Sequence, residues 1–183
     1  MHSGRVIISG KNTSTVHDVR RNGGKMEKKM SVTAAMRFLK QKKIPFEIRE
    51  YDLKIKGAEF AAEALNWPLE AMIKTLVVAL SDNSFVLCCM PGHIELSLKN
   101  LARAAAVKSA RMATQEEAEK QTGYLVGGIS PFGTAKRMKV WLHKSLLDFE
   151  KVGVNGGRRG CIAFMRPTDL RDALEARVED LAV

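Results

Sequence analysis

The sequence is poor in aromatic residues: Phe, Trp and Tyr together make up only 6% of its 183 positions. A core with few rings has to be built from Leu, Val, Ile, Ala and Met, and a hydrophobic content of 45% is sufficient for one domain. No stretch approaches the roughly 20 consecutive apolar residues of a membrane span, and the N-terminus has no apolar segment typical of a secretory signal. We therefore expect a soluble, cytoplasmic protein that has no membrane partner.

The sequence also lacks the motifs of disulfide, metal and nucleotide sites. Cys88 and Cys89 are adjacent and, with Cys161, form no disulfide framework, so we expect packing roles, with one of the adjacent pair half exposed. His93 and His143 lack metal-ligand spacing, which favours structural or surface roles. The Gly-x-Gly-x-x-Gly fingerprint, the P-loop and a nucleophile elbow are absent as well. We therefore expect no metal and no cofactor.

The net charge of +10 and the pI of about 9.7 indicate a polyanionic partner such as nucleic acid. Residues 1–30 hold seven Lys or Arg against Asp18 and Glu27, so +5 of this charge lies there and the rest of the chain is mildly basic. Residues 1–29 have no sustained apolar periodicity, which predicts a flexible basic extension, or a remnant preceding the true start, before a domain over residues 30–183. A basic arm that grips RNA is the alternative for this segment.

The hydrophobic patterns after residue 30 predict a mixed α/β fold. Helices are expected over residues 31–42, 57–65, 97–106, 114–123 and 168–177, the fourth with a Thr114–Glu117 capping box and a terminal Gly123. Strands are expected over residues 43–51, 73–80, 84–90, 107–112, 124–126, 139–142 and 161–164, and the second and third should form a hairpin. Strands interleaved with single helices indicate a mixed sheet rather than an alternating Rossmann pattern.

Lys74 is a charged residue at the head of an apolar strand face. In a strand that begins at Ile73, period-two geometry puts Lys74 on the same face as Leu76, Val78 and Leu80. Its amine either extends from the open end of the strand into water or lines a site where it binds an anion or a developing oxyanion. The residue pattern by itself leaves both interpretations open.

Two glycine-rich segments follow the predicted strands. Gly127 to Pro131 could let the backbone approach a ligand, and its N–H groups could bind a carbonyl oxygen as an oxyanion hole. An ordinary tight turn is the alternative. Residues 155–160, Asn-Gly-Gly-Arg-Arg-Gly, allow the same two interpretations, since Asn-Gly is also a hairpin signal.

These features occur together in the order that one family has them. The segments are Ile73-Lys74-Thr75-Leu76, then GYLVGGISPFG over residues 123–133, then Gly156-Gly157-Arg158-Arg159-Gly160. With the opening segment 38–46 and Tyr51, they resemble the YbaK family of aminoacyl-tRNA deacylases over about residues 31–180.

The resemblance implies the fold of the prolyl-tRNA synthetase editing domain, a partly barrel-like mixed sheet surrounded by helices. It also implies hydrolysis of the ester between a wrong amino acid and the 3′ adenosine of a mischarged tRNA, with Cys-tRNA(Pro) as the expected substrate. A bound prolyl-tRNA synthetase is the protein partner that the family suggests. The expected site residues are Lys74, Gly127 and Gly128 in catalysis; Tyr51, Ile129, Ser130, Pro131, Asn155, Gly156 and Gly157 at the substrate; and Lys136, Arg137, Arg158 and Arg159 at the tRNA.

The expected chemistry suits a chain without a protein triad, because an aminoacyl ester needs mainly positioning and charge stabilisation. In YbaK-type enzymes the substrate's cysteine thiol is thought to attack its own ester carbonyl. Lys74 would hold the tRNA terminus or stabilise charge, and the Gly127–Gly128 backbone would face the carbonyl. The chain departs from better-known members at Asn155, where serine is frequent, and at Ile162, where an acidic residue is frequent, so strict cysteine selectivity stays open.

Two rival interpretations remain at this point. A non-catalytic RNA-binding module could use the same groove and its basic residues, and it would show salt-sensitive tRNA binding without turnover. A related editing enzyme could act on Ala-tRNA(Pro) or on the ester of another small amino acid.

Overall fold

The computed structural model describes residues 6–8, 31–51 and 57–183, the first of these ranges by its backbone alone. The strands in these ranges are β1 (Val6–Ile8), β2 (Glu47–Glu50), β3 (Met72–Leu80), β4 (Phe85–Pro91), β5 (Ala110–Met112), β6 (Lys139–His143), β7 (Val152–Asn155), β8 (Cys161–Met165) and β9 (Arg177–Glu179). The α-helices are α1 (Ala34–Gln41), α2 (Ala58–Leu65), α3 (Leu98–Ala104), α4 (Gln115–Thr122) and α5 (Pro167–Leu174).

The strands form one mixed sheet in the order β1-β2-β8-β7-β3-β4-β6-β9, and β5 pairs with the far end of β3. β3 and β4 form the predicted antiparallel hairpin, with Val78 opposite Val86. β7 runs parallel to β3, and β6 runs parallel to β4. The prediction of a mixed sheet is therefore confirmed. The strand β3, which contains Lys74, lies near the centre of the sheet.

Helices cover both faces of this sheet. On one face α1, α4 and α5 surround a core to which α1 contributes Leu39 and α5 contributes Leu170. On the other face α2 packs through Ala61 and α3 through Leu101. No helix in the described ranges is long and apolar enough to cross a membrane.

Because helices cover both faces of the sheet, both of the adjacent cysteines are buried. Cys88 and Cys89 point to opposite faces of β4, yet both are fully buried. The prediction that one of them is half exposed is wrong, because it assumed a sheet with one face open to water.

Local hydrogen bonds fix the ends of two helices, and those of the second agree with the sequence prediction. The Thr33 hydroxyl caps α1 by accepting from the Met36 amide at 3.1 Å. The capping box between Thr114 and Glu117 begins α4, and Gly123 ends it at a φ of 74°, where a side chain would be strained.

The segment after α4 is a loop, and the strand predicted over residues 124–126 is wrong. The Tyr124 ring is buried, and its hydroxyl donates to the Phe132 carbonyl at 2.7 Å. This bond closes residues 124–132 into a compact loop, in which Tyr124 and Phe132 are buried and Leu125 is exposed.

β7 and β9 are strands that the hydrophobic pattern does not predict. β7 contains Gly153, where an added Cβ would lie 2.5 Å from the sulfur of Met72, so a residue of high strand propensity does not fit. The last helix ends at Leu174 instead of residue 177, and residues 177–179 pair with β6.

The N-terminal segment is described only at Val6–Ile8, which pairs with Glu47–Arg49 of β2 at the edge of the sheet. These three residues therefore form a strand, where the sequence predicts a flexible extension. The rest of residues 1–29 lies outside the described ranges, as do residues 52–56. The boundary at residue 30 stays a prediction.

Candidate active site

Lys74 lies near the start of β3, on the face that also carries Leu76, Val78 and Leu80, as the sequence predicts. Its side chain is half buried, and its ammonium donates to the Gly92 carbonyl at 3.1 Å. An ammonium has three donors, of which this bond uses one. The contact holds the amine against the loop after β4 instead of leaving it extended into water.

Asn155 lies at the end of the strand that pairs with the strand of Lys74. β7 lies parallel to β3 with Met72 opposite Gly153 and Ile73 opposite Val154. Lys74 and Asn155 come directly after these pairs, so their side chains leave the same face on adjacent strands. The sequence assigns both residues to the site but gives no sign that they are adjacent, because parallel pairing joins distant segments.

Ile162 continues this row on β8, where it is the partner of Asn155. It is buried and packs in a cluster with Ala61, Met72 and Phe164. At the position where better-known members of the resembled family have an acidic residue, this chain therefore has an apolar wall beside Asn155.

The first glycine segment forms a tight turn. Gly127 adopts a φ of 89°, a conformation that favours glycine, and it is exposed. The Gly128 amide donates to the Leu125 carbonyl at 2.9 Å and so belongs to the turn. For this amide to bind a substrate oxygen, the turn bond would have to be exchanged for one to the ligand.

The two glycine segments interlock. The Asn155 amide nitrogen donates to the Gly127 carbonyl at 3.2 Å. The Arg159 guanidinium donates to the Val126 carbonyl through Nε at 3.0 Å and Nη2 at 2.7 Å. An added Cβ at Gly128 would lie 3.0 Å from backbone atoms of the second segment, so glycine is needed there for close approach.

The remainder of the first segment is largely buried. Ser130 is fully buried, and its hydroxyl lies 3.4 Å from the Phe132 amide, from which it accepts. Pro131 is buried too, whereas Ile129 is half buried against the core. Contacts of these residues with a substrate stay predictions, and Ile129 has the largest exposed portion with which to make one.

Tyr51 follows β2 and is tied to the end of the second glycine segment, since its amide donates to the Gly160 carbonyl at 3.0 Å. Its ring stands edge-on to Phe60 of α2, with centroids 6.0 Å apart. Burial raises the pKa of the Tyr51 phenol, against an opposing hydrogen bond with the Gly160 backbone. The hydroxyl is therefore protonated at neutral pH and can donate to a ligand.

Both arginines of the second segment have protein partners. Arg158 forms an ion pair with Glu50 at the end of β2, and Arg159 binds the Val126 carbonyl as described above. Their guanidinium groups therefore help to hold the loops, and a contact with tRNA stays a prediction.

Lys136 and Arg137 lie on the exposed loop before β6. Arg137 pairs with Glu175 at 3.1 Å, and both side chains are more than three-quarters exposed. Such exposed pairs contribute little to stability and exchange readily for other ions. Both residues are thus accessible to a phosphate backbone.

The thiols within the described ranges are inaccessible. Cys88, Cys89 and Cys161 are all fully buried. Burial raises the pKa of Cys89 to about 12 and that of Cys161 to about 11, and it raises the pKa of Cys88 as well. Because the thiolate is the nucleophilic form, these three side chains pack in the core, as the sequence predicts.

His143 is a buried structural residue at the end of β6. Its Nδ1 accepts from the Ser145 amide at 3.3 Å, and its Nε2 lies 3.5 Å from the Asp180 carboxylate. Burial lowers the pKa of His143, partly offset by Asp180. The residue ties the C-terminal segment to the sheet, whereas His93 is exposed.

The fold and the site define a small α/β domain in which one of two interlocked glycine loops begins at Asn155, on the strand beside that of Lys74. The chain matches the aminoacyl-tRNA editing domain family over residues 54–173. It is 33% identical to EbsC of Enterococcus faecalis, which is named provisionally as a Cys-tRNA(Pro)/Cys-tRNA(Cys) deacylase, over 73% of this chain and 83% of that protein. The chain belongs to the aminoacyl-tRNA editing domain family.

Two further proteins agree with this assignment. A proline–tRNA ligase of Sulfurihydrogenibium sp. (strain YO3AOP1) is 37% identical over 45% of this chain, a match that spans only 14% of the ligase. A solved structure, described provisionally as a trans-editing enzyme for prolyl-tRNA synthetase, superposes with a TM-score of 0.70 at 26% identity, over 74% of this chain and 85% of the other. The fold expected from the resemblance is thereby confirmed.

Proposed function

We propose that this chain is a trans-editing deacylase that hydrolyses mischarged tRNA and that its substrate is Cys-tRNA(Pro). The observation that carries the proposal is the pairing of β3 with β7, which puts Lys74 and Asn155 one residue beyond paired positions, together with the bond from the Asn155 amide to the Gly127 carbonyl. This pairing supports a shared site for motifs that lie far apart in the sequence. The similarity to EbsC and to the trans-editing structure supports the same substrate class.

The proposed reaction uses the substrate's own thiol. The cysteine sulfur attacks the ester carbonyl carbon, a C–S bond forms, the ester C–O bond breaks, and the thiol proton ends on the 3′ oxygen of the tRNA. Water then opens the resulting thiolactone to release cysteine. Negative charge develops on the carbonyl oxygen during the attack, and the Lys74 ammonium and the Gly127 backbone are the groups proposed to stabilise it.

The buried protein thiols support this choice of nucleophile. All three cysteines are fully buried, and burial raises the pKa of each thiol. A mechanism that uses a protein thiolate would need such a group to be exposed and ionised. The substrate thiol, by contrast, is not buried in the protein core, so burial does not raise its pKa.

Lys136, Arg137, Arg158 and Arg159 are proposed to contact the tRNA backbone near the acceptor end. Lys136 and Arg137 follow the first glycine segment and Arg158 and Arg159 belong to the second, and Lys136, Arg137 and Arg159 are exposed. Arginine and lysine neutralise phosphates and release counterions, so this contact makes binding sensitive to salt. A prolyl-tRNA synthetase is the proposed protein partner, which would supply recognition of the rest of the tRNA.

Ala-tRNA(Pro) is the second candidate substrate, and Ile162 favours it. This buried apolar residue stands beside Asn155 on the site face, so an apolar amino acid side chain would meet an apolar wall. Alanine has no thiol, and water would then have to be the attacking group.

A deacylation assay on Cys-tRNA(Pro), Ala-tRNA(Pro) and correctly charged Pro-tRNA(Pro) tests the proposal. We expect the cysteine ester to be cleaved fastest and the proline ester to survive. Faster cleavage of the alanine ester would favour the second candidate. Salt-sensitive tRNA binding without cleavage of any ester would show a non-catalytic RNA-binding module instead.

A further inference from the structure

The Thr33 hydroxyl makes two hydrogen bonds with different partners. As an acceptor it caps α1 through the Met36 amide at 3.1 Å. As a donor it makes a short hydrogen bond to the carbonyl of Gly156, 123 positions further along the chain. The cap would be satisfied by any side-chain oxygen acceptor, but the bond to Gly156 requires a donor.

The Gly156 carbonyl lies within the second glycine segment, between two residues that contact each other. The Gly157 amide donates to the Asn155 side-chain oxygen at 2.8 Å. The nitrogen of the same Asn155 amide donates to the Gly127 carbonyl at 3.2 Å. A chain of bonds therefore leads from Thr33 through the second glycine segment to the first.

The residues around Gly157 are closely packed, which leaves little room for the second glycine segment to move. Gly157 adopts a φ of 93°, and an added Cβ would lie 3.1 Å from the Thr33 side chain and 3.0 Å from the ring of Tyr124. The second segment is thus enclosed between the start of α1 and the loop that follows α4. A shift at Thr33 would be passed to Asn155, the neighbour of Lys74.

We propose that Thr33 is a positioning residue of the active site, which fixes the second glycine segment, and with it Asn155 and the Gly127 turn, relative to Lys74. This inference rests on the proposed deacylase function. It assigns Thr33 no contact with the substrate: the residue acts through the Gly156 carbonyl. Displacements of about 1 Å at a reacting centre can lower a rate on the order of a hundredfold, so such a tie has a measurable effect.

Three substitutions of Thr33 separate the effect of its bond to the Gly156 carbonyl from the effect of its cap on α1. Thr33→Ser keeps both bonds. Thr33→Asp keeps an acceptor for the Met36 amide, and Asp is a good N-cap, but a carboxylate cannot donate to Gly156. Thr33→Val removes both bonds at nearly constant shape. Ser31→Asp is the matched control, since it adds the same charge two residues earlier at an exposed position.

Turnover and hydrogen exchange are both measured on the full chain. We expect Thr33→Ser to behave as wild type, and Thr33→Asp to lose about tenfold or more in kcat with KM changed far less and the thermal midpoint lowered less than in Thr33→Val. Amides of residues 156–160 should exchange faster in Thr33→Asp than in Ser31→Asp, while those of α1 should not change. Thr33→Val should show the same loop effect with added loss of thermal stability.

Wild-type kcat and wild-type exchange at residues 156–160 in Thr33→Asp would overturn the inference, as would equal losses in Thr33→Asp and Ser31→Asp. If the wild-type protein cleaves no ester in the panel, the proposed function fails. The exchange measurement still decides whether Thr33 fixes the loop in that case, because it does not depend on turnover.

Discussion

At the scale of single residues, Lys74 is the group whose position is least explained by packing alone. It stands at the head of an apolar face, half buried, with its amine on the Gly92 carbonyl. We expect Lys74→Ala to lower kcat/KM for Cys-tRNA(Pro) by about 10²–10³, the scale for a lost charge-stabilising donor. The free energy of unfolding should fall by less than about 2 kcal/mol, since one hydrogen bond is lost.

The control for this variant is Lys99→Ala, which removes an equal charge from an exposed position on α3. Steady-state kinetics and thermal unfolding of both variants give the comparison. Full activity in a folded Lys74→Ala protein would remove Lys74 from the mechanism.

The cysteines give a second prediction at this scale. A variant with Cys88, Cys89 and Cys161 all replaced by alanine should retain turnover, because the proposed nucleophile belongs to the substrate. Its stability should fall by on the order of 1 kcal/mol for each buried group deleted, which thermal unfolding measures. A folded but inactive variant would show that a protein thiol takes part.

The substrate itself supplies a third prediction. Ser-tRNA(Pro) has nearly the shape of Cys-tRNA(Pro), but a hydroxyl is a much weaker nucleophile than a thiol near neutral pH. We expect the serine ester to be cleaved far more slowly under single-turnover conditions with saturating protein. Equal rates for the two esters would make water the attacking group.

At the scale of elements, the sequence predicts best where the local pattern alone decides the structure. The β3–β4 hairpin and the capped start of α4 at Thr114 agree with prediction because turn and cap residues act on their immediate neighbours. β7 escapes prediction because Gly153 weakens its pattern, and the reason for that glycine is the sulfur of Met72 on another strand.

In the candidate site too, the sequence predicts which residues take part but not the contacts between distant segments. The sequence and its resemblance to a family select Lys74, Asn155 and the Gly127 segment as members of one site. They do not reveal that Asn155 adjoins Lys74 or that Thr33 binds the Gly156 carbonyl, because these contacts join segments far apart in the chain. Such pairings depend on strand order, which no local pattern encodes.

The C-terminal segment gives a prediction about pH. Buried His143 faces the Asp180 carboxylate, with Lys144 and His93 also acting on it, and burial lowers its pKa below the ordinary value of 6.5. As the pH falls below about 6.5, the unfolded chain binds a proton that the native His143 resists, so stability falls as the pH falls toward the native pKa. Above that window this contribution is fully present.

His143→Asn tests this linkage, because asparagine does not titrate and its oxygen can still accept from the Ser145 amide. We expect the drop in thermal midpoint between about pH 7.5 and pH 5.5 to be smaller in the variant than in the wild type. An equal drop in both proteins would show that other groups carry the pH dependence.

At the scale of the whole molecule, the charge is unevenly spread, and its distribution bears on the proposed binding of tRNA. Residues 1–25 carry five Lys or Arg and one Asp, a net charge of +4. The described part of this segment, Val6–Ile8, makes three residue pairs with β2 at the edge of the sheet. The residues proposed to contact the substrate or the tRNA, by contrast, all lie after residue 50, and the positioning residue Thr33 also lies beyond residue 25.

Removal of residues 1–25, so that the chain starts at Met26, should therefore preserve turnover of Cys-tRNA(Pro) and lower the thermal midpoint only slightly, through the loss of one short edge strand. Binding to tRNA, measured over a range of salt concentrations, separates two roles for the lost charge. If the segment contacts phosphates, the slope of log K against log salt becomes shallower by somewhat less than one for each contact removed. We expect the slope to stay the same, because the exposed Lys136 and Arg137 and the loop arginines remain. A shallower slope with an unchanged kcat would establish the segment as an RNA-binding arm that serves affinity but not chemistry.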